Sequence, residues 1–332
     1  MKTRVLPPTP AALRRIAAEL RRGRLAAVPT ETVYGLAANA LDARACRAIF
    51  RAKRRPAHDP LIVHVSDLAA AEELAEFNDA ARRLARAFWP GPLTLVLPKK
   101  ALIPAVVTSG GDSVALRCPA HPVMRRLLRA AKVPLAAPSA NPFGYVSPTT
   151  AAHVVEGLGG RIPYVIDGGP SRVGVESTIA DLRDPRRPRV LRPGAVSAAQ
   201  LGRVLRLRVA SQPPTSPTAP VAPGMLARHY SPRTPLELVT VAAATARARR
   251  LAPGEAVIFF RRPNLARRRS EGTVAWLTDD GSAAQAARRL YGVLRELDHR
   301  GLRRAFVALA PASAGPLGAA INDRLRRAAR RS

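Results

Sequence analysis

The stretch VPTETVYGLAANALDARACRAIFRAKRRPAHDPLIVHV, Val28 to Val65, decides the reading of this chain. It opens on a hydroxyl-rich turn at the end of an apolar segment, RLAAVP, that reads as a buried strand. Asp42 then stands where a helix N-cap belongs, ahead of Cys46, Ile49 and Phe50 at helical spacing. The helix ends in Lys53, Arg54 and Arg55, and Leu61 to Val65 follow as a β-branched strand. Folding alone does not call for three cations beside a buried strand. The knot is expected to face negative charge.

The same alternation extends outward. Thr9-Pro10 caps a helix carrying Leu13, Ile16 and Leu20 that stops at Gly23. Helices are expected over Asn78–Phe88, Pro122–Ala131 and Thr149–Leu158 and near Ala198–Leu205. Strands are expected at LTLVL (93–97), VALRC (114–118), PLAA, PYVID and STIADL. Strands mixed with helices indicate an α/β domain of about two hundred residues. Neighbouring strands with no helix between them exclude a purely parallel sheet. The uncharged segment SQPPTSPTAPVAPG (211–224), with Pro213, Pro214, Pro217, Pro220 and Pro223, reads as a semi-rigid linker. After it, PLELVT, a helix, EAVIFF, TVAWLT, a long helix over Ala283–Leu297, AFVALA and a last helix form a second α/β domain. The boundaries are 1–208, a linker over 209–231, and 232–332.

Composition narrows the class. The chain has 332 residues, 47% hydrophobic and 4% aromatic, with 54 Lys+Arg against 23 Asp+Glu, a formal charge of +31. That excess suits a polyanionic partner, although solvated helix faces absorb part of it. Cys46 and Cys118 permit at most one disulfide and no CxxC metal spacing occurs. Cys46, on a helical pattern, reads as a core residue. The N-terminus lacks a signal-peptide pattern and no run reaches the ~18 apolar residues of a membrane span, so a cytoplasmic protein is expected.

No Walker-type phosphate loop and no strand–GxGxxG–helix unit is present. Polar residues gather instead at strand ends: Thr30, Glu31, Thr32 and Tyr34; His64; Ser113 and Arg117; Ser139, Asn141 and Ser147; Glu176, Ser177 and Thr178; Arg192. Hydroxyls, amides and cations beyond strand ends suit a phosphorylated small molecule. Singly, each has a plainer reading. Ser139 and Thr149 serve turns or caps, His64 is a satisfied core histidine, Arg117 snorkels from a strand, and Tyr34 and Trp89 pack.

Taken together, PTETVYGL, KRRPAHDPLIVHV, FWPGPLTLVL, VALRCPAHP, PLAAPSANPFGYVSPTTAAHV, GVESTIADL and VLRPG stand in the order of the YrdC-like family. With APGMLARHYSP and AINDRLRRAA, the chain from about Pro29 to Arg327 resembles the family's two-domain form, which makes threonylcarbamoyl-AMP. The resemblance implies a twisted mixed sheet with flanking helices and a smaller, Rossmann-like C-terminal α/β domain. It implies that L-threonine, bicarbonate or CO2, and ATP yield threonylcarbamoyl-AMP and diphosphate, with Mg²⁺ bridging ATP phosphates, for threonylcarbamoyladenosine in tRNAs reading codons that start with A. Position by position, Thr32, His64, Arg117, Ala137 and Ser177 would surround threonine. Lys53, Arg55, Asp59, Ser113, Ser139, Asn141, Ser147 and Arg192 would hold ATP, with Tyr230 and His229 reaching in from a linker that passes over the active site. Lys53 and Arg55 would act on the reacting phosphates. Asp59 departs from the asparagine frequent in the family, and Ser113 from threonine. tRNA and the proteins that transfer the threonylcarbamoyl group are the partners implied. Two other classes compete: a double-stranded RNA or tRNA-binding module without ATP chemistry, and a carbamoyltransferase on the same fold.

Overall fold

The structure, a computed structural model, describes residues 1–211, 222, 230–265 and 271–330. It separates into two compact units: Met1–Phe143, Pro148–Arg172 and Glu176–Leu226 form one, and Gly144–Ser147, Val173–Val175 and Ala227–Ser332 the other. The prolines of the expected linker, and His229, lie outside the described residues.

The first unit runs β1 (Arg4–Leu6), α1 (Pro10–Arg21), β2 (Ala26–Val28), β3 (Gly35–Asn39), α2 (Ala43–Lys53), β4 (Ile62–His64), α3 (Leu68–Glu72), α4 (Asp79–Phe88) and β5 (Leu93–Pro98). It continues through β6 (Ser113–Arg117), α5 (Pro122–Ala131), β7 (Leu135–Ala136), α6 (Ala151–Leu158), β8 (Tyr164–Ile166), β9 (Thr178–Asp181), β10 (Arg189–Arg192), α7 (Ala198–Leu205) and β11 (Ala210–Ser211). Its sheet has the order β1-β8-β2-β3-β7-β4-β6-β5-β9-β10-β11. β2 and β3 are antiparallel, as are β5 and β6, whereas β4 and β6 are parallel, so the sheet is mixed as expected. Its two larger apolar clusters flank the sheet, beside a smaller one of Ile62, Val96, Ala115, Ile179, Leu191 and Ala222. Ile49, Leu61, Val63, Leu84, Leu95 and Leu116 belong to one of the larger pair; Ile16, Leu20, Met124, Leu127 and Ile166 belong to the other.

Local chemistry accounts for the helix starts. The side chains of Thr9, Asp42, Asn78 and Thr150 accept amide hydrogens from the first turns they precede, and Ser197 with Gln200 forms a capping box. Four strands of this unit were not foreseen, β1, β3, β10 and the two-residue β11, which falls where the linker was expected, nor was the short helix α3. β3 is GLAAN, with no β-branched residue, and its extended form comes from pairing with β2 on one side and β7 on the other.

The second unit contains β12 (Leu236–Val239), α8 (Val241–Ala248), β13 (Glu255–Arg261), β14 (Thr273–Thr278), α9 (Ala283–His299), β15 (Arg304–Ala308) and α10 (Gly315–Ala328). Its four strands pair in parallel in the order β12-β15-β13-β14, around Val257, Phe259, Leu251 and Phe306. α8 connects β12 to β13 and α9 connects β14 to β15, crossovers of the kind that parallel strands demand.

Candidate active site

The basic knot divides when folded. Arg54 takes the left-handed conformation (φ 54°) that ends α2, and its side chain is exposed. Lys53 and Arg55 turn inward and are buried. The expectation of three clustered cations is thus corrected to two, because the C-cap geometry points the middle one at solvent.

Lys53 Nζ donates to the backbone carbonyls of Ser139 and Asn141, in the loop after β7. Burial, then the neighbouring Arg55 charge, pull this ammonium well below the ordinary lysine range, with Asp59 opposing. The loop itself is tied to the β2–β3 turn: Ala140 N donates to Tyr34 O, and Gly35 bridges Ser139. Lys53 therefore joins the C-terminal end of α2 to the loop that carries Ser139 and Asn141.

Arg55 donates from Nε to the Asp59 carbonyl at 2.9 Å and from Nη2 to the Pro60 carbonyl at 2.7 Å, and meets the Asp59 carboxylate at 2.8 Å. Asp59 is wholly buried. Burial raises its pKa, while Arg55, Lys53, His58 and Arg192 act against that rise. Of these groups, Arg55 is the one in direct contact with the carboxylate. Asp59 holds Arg55 in place.

Across the sheet, Arg192 at the end of β10 donates to the Ser177 carbonyl (3.1 Å) and hydroxyl (3.2 Å), and Thr94 of β5 shares a 2.7 Å hydrogen bond with the same hydroxyl. Gly194 permits this approach, since a Cβ there would stand 2.4 Å from the amide nitrogen of Thr178 and 2.8 Å from the Ser177 carbonyl carbon.

A third group surrounds Arg117, at the end of β6. Nε donates to Gly91 O (3.2 Å), Nη1 to Thr32 Oγ1 (2.9 Å), and Nη2 lies 2.7 Å from Glu31 Oε1. Burial would raise the Glu31 pKa, but the charge and hydrogen bond of Arg117 and the Ala120 amide outweigh it, and the carboxyl is held below its usual range. His64 pairs in register with Arg117. Burial, then the Arg117 charge, push its imidazole down to about 3, so it is neutral at physiological pH.

Of the expected threonine set, Thr32, His64 and Arg117 form one cluster, Ser177 sits with Arg192 and Thr94, and Ala137 is buried just after β7 with its amide donating to Ile62 O. Of the ATP set, Lys53 is tied to the Ser139 and Asn141 carbonyls and Arg55 to Asp59. Ser113 is buried at the start of β6. Ser147 and Tyr230 are buried and belong to the second unit. Tyr230 stacks on Tyr291, ring centroids 6.1 Å apart, with Arg324 over its ring. Tyr34, read as a packing residue, is fully buried and also donates to Gly169 O at 2.7 Å. Cys46 and Cys118 are free and buried, and burial pushes them up to about 12 and about 11, which leaves both as unreactive thiols. Sequence reasoning placed Thr30 and Glu31 at a strand end without a role, and passed over Gly91, Thr94 and the pairing of Glu31 with Arg117. The signal available was PTET, three polar residues in a row at the end of an apolar strand.

The residues offer a divalent cation little. Among the described residues no three His, Cys, Asp or Glu side chains converge. The carboxylate nearest the cations, Asp59, already carries Arg55.

Comparison with known proteins places this arrangement. The family model for Sua5, YciO and YrdC proteins, described as telomere recombination, matches residues 18–194. The model for the C-terminal domain of threonylcarbamoyl-AMP synthase matches residues 196–330. A threonylcarbamoyl-AMP synthase of Pyrococcus abyssi is 41% identical over 325 residues, covering 93% of this chain and 91% of its own. One of Bacillus subtilis is 45% identical over 226 residues, covering 67% and 65%. The crystal structure of P. abyssi Sua5 complexed with L-threonine superimposes with a TM-score of 0.87 at 37% identity over 98% of both chains. The chain belongs to the Sua5–YciO–YrdC family, in the form that carries the additional C-terminal domain.

Proposed function

We infer that this protein joins L-threonine, bicarbonate or CO2, and ATP into threonylcarbamoyl-AMP with release of pyrophosphate. The observation that carries the reading is that three buried cations, Lys53 on the Ser139–Asn141 loop, Arg55 on Asp59 and Arg192 on Ser177, lie in the same unit as the Arg117–Thr32 cluster. Buried cations suit the phosphates, and a guanidinium suits an amino-acid carboxylate through paired hydrogen bonds.

The reaction divides into two steps. The threonine amine attacks CO2, a C–N bond forms, and the amine gives up a proton to solvent. A carbamate oxygen then attacks the α-phosphorus, and the bond to the departing pyrophosphate breaks. The carbamate is already anionic and needs no general base. The protein's share is alignment and neutralisation of the charge that builds on pyrophosphate. Lys53 and Arg55 are assigned that neutralisation, with Arg192 beside the α-phosphate through Ser177. Ser139 and Asn141 would hold the nucleotide on the loop that Lys53 anchors, with Ser113 as a further ATP position of the family in the same unit. Among the described residues no carboxylates converge into a metal site, and Mg²⁺ is proposed to enter as part of the ATP complex.

The mixed anhydride so formed is an activated donor. A transfer reaction on tRNA must consume it, in the compartment that supplies ATP and tRNA, the cytoplasm. No helix among the described residues is long and apolar enough to cross a membrane. The test is pyrophosphate release by purified protein supplied with ATP, bicarbonate and threonine. Release that depends on threonine, with serine a poor substitute, is expected. Equal release without an amino acid, or none, refutes the reading.

A further inference from the structure

A buried ion pair is a poor stabiliser, since replacing it with apolar side chains of similar volume often leaves a fold as stable or more so. The Glu31–Arg117 pair in the amino-acid pocket therefore calls for another explanation. Both side chains are buried, with 7% and 3% of their surface exposed. Three groups fix the guanidinium: Gly91 O, Thr32 Oγ1 and Glu31 Oε1. A guanidinium has five N–H groups, so two remain for a ligand carboxylate. Glu31 faces the opposite shortage. Beyond Arg117 and the amides of Ala120 and of Glu31 itself, its buried oxygens have no hydrogen-bond partner among the described residues. Each carboxylate oxygen accepts two hydrogen bonds. Unused acceptors on a buried anion call for a donor from elsewhere.

The adjacent hydroxyl has the same polarity. Thr30 Oγ1 donates to Val33 O at 2.6 Å. The 2.8 Å contact between the Thr30 and Thr32 hydroxyls must then use the Thr32 proton. Thr32 Oγ1 meanwhile accepts from Arg117. Its proton spent, Thr32 meets a ligand only as an acceptor. Spare donors thus sit on Arg117 and spare acceptors on Glu31 and Thr32, side by side. That is the complement of a zwitterion.

We propose that Glu31 recognises the amino group of the amino-acid substrate, so that Glu31 and Arg117 form a charge pair matched to the substrate's ammonium and carboxylate. The inference rests on the proposed function, in that it takes Arg117 as the carboxylate site. Glu31 stays ionised, so it holds the amine in place and does not act as the base that deprotonates it. It also keeps Arg117 from serving as a general anion trap beside a pocket that takes a triphosphate.

The test compares threonine with 3-hydroxybutyrate, which has the same carbon skeleton, hydroxyl and carboxylate but lacks the amine. Affinities of both are measured by calorimetry for the wild-type chain and for Glu31→Gln, which keeps the shape and removes the charge. A charge-assisted hydrogen bond corresponds to roughly ten- to a hundredfold in affinity. Threonine affinity is expected to fall roughly tenfold or more in Glu31→Gln, with 3-hydroxybutyrate binding unchanged or tighter and the KM for ATP within about twofold. A parallel fall for both ligands would show that Glu31 only shapes the pocket and would overturn the proposal, as would no change for either. Should Glu31→Gln melt well below wild type, Glu31→Asp, which restores the charge one methylene shorter, takes its place. It is then expected to keep the preference for threonine over 3-hydroxybutyrate, and losing that preference overturns the proposal. A wild-type chain that binds no threonine would count against the proposed function itself.

Discussion

Replacing Lys53 by methionine separates its two roles, the internal tie and the phosphate cation. The substitution keeps the length of the side chain and strips two buried carbonyls, Ser139 O and Asn141 O, of their donor. Hydrogen bonds to a charged partner contribute about 1.5–3 kcal/mol each. Against that stands the cost of burying the ammonium, visible in its lowered pKa. A net loss of about 2 kcal/mol is expected, which lowers Tm by about 4–8 °C for a domain of this size. A domain with about 5 kcal/mol of stability would still be more than roughly 99% folded at 25 °C after that loss. Turnover is a separate matter. Removing a positioned cation from developing phosphate charge is expected to lower kcat by roughly 10²–10³. Instability cannot imitate that fall. The assay is threonine-dependent pyrophosphate release, with a thermal melt on the same sample. A lowered Tm with kcat within about threefold of wild type would refute the phosphate role and leave Lys53 a strut. In the wild type the depressed pKa adds a sign. In the proposed role Lys53 meets ATP in its protonated form, so affinity should decline as pH rises through the folded pKa, and Lys53→Met should lose that dependence.

Three further outcomes follow from the geometry. His64 has a folded pKa of about 3 against 6.5 for the free imidazole, so the folded state binds fewer protons in that window; stability should fall as pH drops from about 6.5 to about 3, by ~5 kcal/mol at the lower end, and urea titrations of His64→Gln should show a flatter acid limb. Gly194→Ala would press a methyl group into the Ser177–Thr178 backbone; a loss of about 1–3 kcal/mol and a raised KM for threonine are expected, and unchanged values for both would contradict the close approach. Asp59→Ala strands the buried Arg55 and should cost about 3–5 kcal/mol in chemical denaturation, while Asp59→Asn, which keeps the shape and an acceptor, should cost less.

Much of the fold was legible because the periodic segments were strong. Leu93–Pro98 and Ile62–His64 announce themselves by branching and length, and Pro122–Ala131 forms as a helix over the very residues expected. β3 was not legible, since its alanines and glycine carry no strand preference and only its neighbours hold it extended. The site was legible as an inventory, not as a network. The motifs supplied Lys53, Arg55, Arg117 and Arg192, but which carboxylate each cation meets depends on approaches between residues far apart in the chain, such as Arg117 with Glu31. The rotation of Arg54 to solvent turns on a single backbone angle at the end of α2. Net charge was a weaker guide, because it cannot separate the buried cations from those on solvated helices.

The most direct measurement is the mass of the product made from ATP, threonine and ¹³C-bicarbonate. The account predicts a threonine–AMP adduct heavier than a simple threonyl adenylate by one labelled CO2 unit, formed in step with pyrophosphate. An adenylate of threonine without the label, or ATP consumed with no adduct, would contradict it.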